Sequence, residues 1–412
     1  MNTGWKEFGY RTHLLLLLLV VLGGCRSQQE QTRNLPVPES DVSAPQIEYP
    51  LPDDCDPYMA KSVLLGYFGD KDGKYLPPIT HYKNYDTQAF YFDLYSSKVL
   101  NVVYRVYLCN SQWKIVNNSF AIDTSLREAE IFQVQAQENL SYVTYKLLLQ
   151  KTDFEYPISI GITAYERETG KRLFSSRLIL YDTIIVVNAQ IVRSPEVKYE
   201  ETHHAIRPEI LHIPSEYRGV WLSVVQNGRW DRWQTNIMPS YIIHQRGVFS
   251  PINFPLFPAG KPFRTIDVRF HSVDTFRAPV DMVRAHMGPD FMRSSLFGGM
   301  DIIPSGHYVP VEFTLRGAHY KEPVIWHSAV FQWQPIAKMH FADSSYKKVI
   351  LLKQGRYDYI YANVLGSIPD EGAIEGNNIQ TVNKYWIIAH SIHPSLNIPL
   401  NVGFKEIVGN LQ

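Results

Sequence analysis

The chain has 412 residues and carries 40 Lys and Arg against 40 Asp and Glu, so its formal net charge is zero. That balance offers nothing to a nucleic-acid backbone and no polybasic patch to an anionic membrane. Aromatic residues make up 13% of the sequence, which favours sheets over helices, and the length suffices for several domains with cores of their own.

The first element is a leader. Lys6 and Arg11 precede an apolar run from Leu14 to Leu22, too short to span a bilayer, and Gly23, Gly24 and Cys25 follow it. Small residues directly before a cysteine form a lipobox, which predicts cleavage after residue 24 and lipid attachment at Cys25. Arg26 and Ser27 bring no acidic retention signal, so the expected address is the outer membrane, with the body facing the periplasm. Residues 25–56 are polar and hold Pro36, Pro38, Pro45, Pro50 and Pro52, a composition that reads as a flexible spacer.

Strand signals dominate from there. Runs beginning at Ser62, Ala89, Leu100, Ser141, Ile158, Arg177 and Ile184 are β-branched and aromatic, and turn clusters such as Gly69 to Gly73 and Glu168 to Gly170 separate them. One competing signal is the capping box of Ser125 and Glu128, which predicts a helix to about Glu138. A polar stretch from Glu200 to His204 marks a boundary, and a second β region opens at Val220. The third opens near Asp301, holds Val311–Leu315, Ala329–Trp333, Lys348–Leu352 and Tyr357–Tyr361, and is expected to close with Tyr385–His390. The expected fold is all-β: antiparallel β-sandwich domains in tandem over residues 57–195, 196–300 and 301–412. Cys55 and Cys109 either form a disulfide or remain two buried thiols.

Chemistry-bearing motifs are missing from the sequence: there is no metalloprotease, nucleophile-elbow, Cys-x-x-Cys, P-loop or dinucleotide pattern. His203 and His204 would point to opposite faces of a strand, which makes joint metal ligation awkward, and an exposed polar loop explains them better. Asp70, Asp72 and Gly73 hold a fragment of a calcium loop without its distal glutamate, and a β-turn accounts for them. The reading is of a protein without catalysis, cofactor or metal.

The segment Gln226, Asn227, Gly228, Arg229, Trp230 and Asp231 resembles the signature of the type IX secretion system plug protein family. The likeness extends to Lys61–Leu65, to Tyr104–Cys109 followed by Trp113, and to Asn139–Tyr145. It continues through Phe263–Arg269 and Leu352–Tyr361. The sequence departs from the family pattern at Leu108, at Gln112 and at Gly260, Lys261 and Pro262. What the resemblance implies is a non-enzymatic subunit that occludes the periplasmic mouth of a very large outer-membrane β-barrel translocon, its partner.

Physically, Asn227-Gly228 is a tight-turn dipeptide, Arg229 and Asp231 can pair, and Trp230 can anchor a hairpin on the domain beneath. Exposed, Arg229 and Trp230 would instead be contact residues. Arg264, Asp267 and Arg269 carry the same two readings, with Asp267 and Arg269 placed to form a structural ion pair. The C-terminal region is also similar to early-set, immunoglobulin-like modules related to starch-binding domains. Trp333, Tyr357, Tyr359 and Tyr361 could then stack on sugars, which makes a glycan-binding lipoprotein the alternative, although the shared strand face of the tyrosines favours core packing.

Overall fold

The described residues form six sheets in the computed structural model. It describes residues 62–411 apart from 86–87, 96–98, 118–120, 137–140, 273, 286–299, 318, 332, 334–336 and 366–367. The expected leader, the expected lipidation site at Cys25, the expected spacer and Cys55 lie outside the described residues, among which there is no α-helix.

The sheets pack in pairs as three sandwiches. In the first, strands Ser62–Gly69, Gln88–Tyr95, Ser141–Leu149 and Glu130–Ala136 face a sheet centred on Val102–Cys109, Ser159–Glu166 and Arg172–Tyr181. Phe90 and Phe92 meet Phe174 between them, with ring centroids 5.0 and 4.5 Å apart. The middle sandwich pairs a sheet built on Val186–Arg193 and His203–Leu211 with Trp233–Ile237, Arg218–Gln226, Asn383–Ile392 and Pro399–Gly409. In the third, Arg264–Asp267, Gly355–Leu365 and Val324–Ser328 lie over Tyr308–Arg316 and Ser345–Lys353, with Phe313 against Trp326 and Tyr359. Among the described residues pairing is antiparallel except for three short edge contacts, at Ile79–His81, Phe276–Arg277 and Asp281–Met282.

Sequence order and sandwich membership part company, which corrects the divisions at 195/196 and 300/301. Val186–Arg193 pairs along its whole length with His203–Leu211, so the middle sandwich begins before residue 196. Arg264–Asp267 pairs with Gly355–Leu365 and belongs to the third. Tyr385–His390 does not close the third sandwich either; its strand pairs with Arg218–Gln226 of the middle one. The reason is burial on both faces. Tyr385, Ile387 and Ala389 enter the main core, while Trp386 and Ile388 enter a second cluster with Trp113, Ile179 and Trp230 of the neighbouring elements.

Two local expectations also fail. Where a helix was expected, the chain forms strands Arg127–Glu128 and Glu130–Ala136, the latter an edge strand on Ser141–Leu149. Ser125 caps no helix: its N–H and hydroxyl both donate to the Asp123 carboxylate, at 2.8 Å each. Ala329–Phe331 is a single 3-10 turn rather than the start of a strand.

The sandwiches are tied to one another by buried polar contacts. Lys353 Nζ of the third lies 2.8 Å from Asp93 Oδ2 of the first, and both side chains are essentially fully buried. Tyr308 OH and Thr144 Oγ1 donate to the same carboxylate at 2.8 and 2.6 Å. Asn401 of the middle sandwich donates to Leu180 O of the first at 2.9 Å and pairs with Ser159.

Candidate functional site

The six signature residues stand where the three sandwiches meet. Asn227 and Gly228 take φ of 55° and 67°, and Arg229 N–H closes the turn on Gln226 O at 3.1 Å. Glycine is required at 228 for a second reason: a Cβ there would approach Trp386 Cη2 to 2.9 Å. Asn227 locks the turn to the C-terminal hairpin. Its Oδ1 accepts from Lys384 N–H at 2.9 Å, and its Nδ2 donates to Asn383 Oδ1 at 2.8 Å. Gln226 Nε2 donates to Pro258 O at 2.8 Å.

Arg229 is buried, with 3% of its side chain exposed. It donates to both oxygens of Asp231, at 3.1 and 2.6 Å, and to Glu371 Oε1 from the third sandwich, where Arg232 also donates at 2.9 Å. Its guanidinium stacks over Trp333 at 4.5 Å. Desolvation would raise the Asp231 and Glu371 carboxyls, but the Arg229 guanidinium, joined by Arg232, outweighs it and holds both below their ordinary values. Trp230 faces the first sandwich, edge-on to Trp113 at 5.2 Å.

Asp231, His327 and Glu371 bring ligand-type atoms within 4.8 Å of one another. His327 is fully buried, its Nε2 meets Trp333 O, and its Nδ1 has no partner among the described residues. Burial lowers its pKa. Two guanidinium groups already neutralise the two carboxylates, so this donor set is charge-balanced without a cation. The chemistry is that of a clamp between sandwiches. Beside it a cleft of ≈ 250 Å³ opens at the junction, lined by Tyr67, Tyr75, Gly228, Trp230, Trp333 and Trp386 among others.

No family model matches this chain, and no curated protein matches it either. Among solved structures it is similar to a hypothetical protein from Parabacteroides merdae ATCC 43184, at 19% identity and a TM-score of 0.74 over 89% of this chain and 100% of that one. That likeness shows the fold alone. A partial N-terminal region of an enterococcal surface protein aligns at 6% identity with a TM-score of 0.18, which carries no argument.

The other residues singled out by sequence fall elsewhere. Arg264 is buried in the third sandwich, forked onto Glu375 at 3.0 and 3.1 Å and bound to Asp281 at 2.7 Å. Asp267 and Arg269 do form an ion pair, at 2.6 Å, on the surface. His203 and His204 are not an exposed loop. They open a strand, and His204 is buried between Tyr385 OH and Ile379 O. Asp70 Oδ1 accepts from the N–H groups of Asp72 and Lys74, a β-turn as expected. Among the described residues Cys109 is a free, buried thiol whose pKa burial pushes up to about 12. The sugar platform does not exist as a surface: Trp333, Tyr357, Tyr359 and Tyr361 are all at most 3% exposed. Tyr359 and Tyr361 spend their hydroxyls on Asp281.

Glu371, His327 and Lys384 were invisible to sequence reading. Each reaches the signature turn from a different element far along the chain, and no local spacing announces it.

Proposed function

We propose that this protein is a lipid-anchored, non-catalytic subunit of the type IX secretion system that seats on the periplasmic opening of the translocon barrel and closes it. The observation that supports this most is the place of the signature turn. Arg229 and Trp230 bind the middle sandwich to the third through Glu371 and to the first through Trp113, so the motif joins the Lys353–Asp93 and Asn401–Ser159 contacts in holding the three sandwiches together. A stopper for a wide aqueous lumen must hold its shape against the opening, and buried ion pairs between sandwiches serve that need. Arg229 and Trp230 therefore act as folding residues behind the contact surface rather than on it. The lipid at Cys25 would raise the local concentration at the membrane, so a modest, reversible affinity suffices.

The test is affinity purification of a tagged full-length chain from detergent-solubilised envelopes. A large outer-membrane barrel should co-elute, and its absence from the eluate, together with unchanged envelope permeability in a deletion strain, would end this reading.

A further inference from the structure

The turn after strand Val102–Cys109 holds hydrogen-bond donors that it leaves unused. Asn110 Oδ1 accepts from the N–H groups of Gln112 and Lys114 at 2.9 and 3.0 Å, and Trp113 N–H donates to Asn110 O at 2.9 Å. This holds Trp113 at φ 62°, backbone that a bulky residue keeps only where its surroundings over-determine it. Trp113 is 3% exposed, yet its Nε1–H has no acceptor among the described residues, and neither does Asn110 Nδ2. Buried N–H groups are nearly always paired, so two idle donors in one turn point to an acceptor from outside.

A third donor group stands beside them. The Arg177 guanidinium lies 5.0 Å from the Trp113 ring centre and 5.9 Å from that of Trp230. Arg177 is half-buried, and no carboxylate or hydrogen-bond acceptor meets it among the described residues. Burial lowers its pKa to about 10, opposed by Cys109 rather than by an acid. Strand register sets Tyr107, Gly161 and Arg177 in one row, so no side chain stands between the tyrosine and the arginine. Arg105 shares this sheet face, and no Asp or Glu of the three strands does.

We propose that the corner formed by Trp113 and Arg177 binds a carboxylate, carried by an acidic side chain or the chain terminus of a partner polypeptide. The guanidinium fork matches two carboxylate oxygens, and the indole N–H supplies a further bond. This site goes beyond the translocon reading and does not depend on it.

The experiment titrates the full-length protein with N-acetyl-glutamate, and in parallel with inorganic phosphate, while following the indole N–H resonances. The Trp113→Phe variant, which keeps the ring and removes only the donor, assigns the Trp113 signal. Saturable movement of that signal with N-acetyl-glutamate is expected. In Arg177→Gln the apparent Kd should rise by about tenfold or more, as loss of a charge-assisted pair requires. Arg177→Lys, which keeps charge without the fork, should fall between. Thermal melting of each variant separates lost binding from lost folding. No saturable response, an equal response in a folded Arg177→Gln protein, or a response to phosphate alone would overturn the proposal.

Discussion

Replacing Lys353 by methionine tests how firmly the first and third sandwiches are joined. The substitution keeps most of the volume and removes the ammonium that lies 2.8 Å from Asp93. The carboxylate then stays buried with two hydroxyl donors, from Tyr308 and Thr144, and no counter-charge. Removing one partner of a buried pair costs about 3–5 kcal/mol, because the other is left as an uncompensated charge. With an unfolding entropy of about 2.1 cal/mol/K per residue over roughly 350 residues, that loss lowers Tm by about 4–7 °C. Calorimetry should record that drop as one cooperative transition, since the pair bridges sandwiches that melt together. Adding Asp93→Asn to Lys353→Met removes the stranded charge and should recover part of the loss. An unchanged Tm in the single variant, or a double variant no better than the single, would refute the reasoning.

Gly228→Ala should destabilise the protein by about 1–2 kcal/mol from the left-handed backbone alone, with more from the Trp386 contact, read as a lower urea midpoint. Stability should also fall in acid. Burial lowers the His390 pKa from 6.5 to about 3, so the unfolded chain takes up its proton first. Stability is therefore full above pH 6.5 and declines toward pH 3, and His390→Gln should flatten that slope in urea melts without abolishing it. His204 and His327, lowered by burial as well, add to the slope over the same window, and Asp231 and Glu371, held low by Arg229, add to it in stronger acid.

Much of the fold was legible in the sequence because strand alternation and aromatic runs are local. Asn227-Gly228 announced its turn by needing positive φ, and the shared face of Tyr357, Tyr359 and Tyr361 correctly indicated a core. Residues 130–135 misled because this edge strand is largely exposed on both faces, so burial imposes no period-two pattern and a nearby capping box filled the gap. The partnership of Asn383–Ile392 with Arg218–Gln226 spans far too much chain for any local signal. The clamp shares that limit: Arg229 and Asp231 could be read as a pair, but Glu371 arrives by topology.

The most direct test of the account is electrical. The translocon barrel, purified and inserted in a planar bilayer, should show a large conductance that falls toward the closed level when the full-length protein is added on the periplasmic side. A conductance unchanged at saturating protein would contradict the proposal that this chain is a stopper.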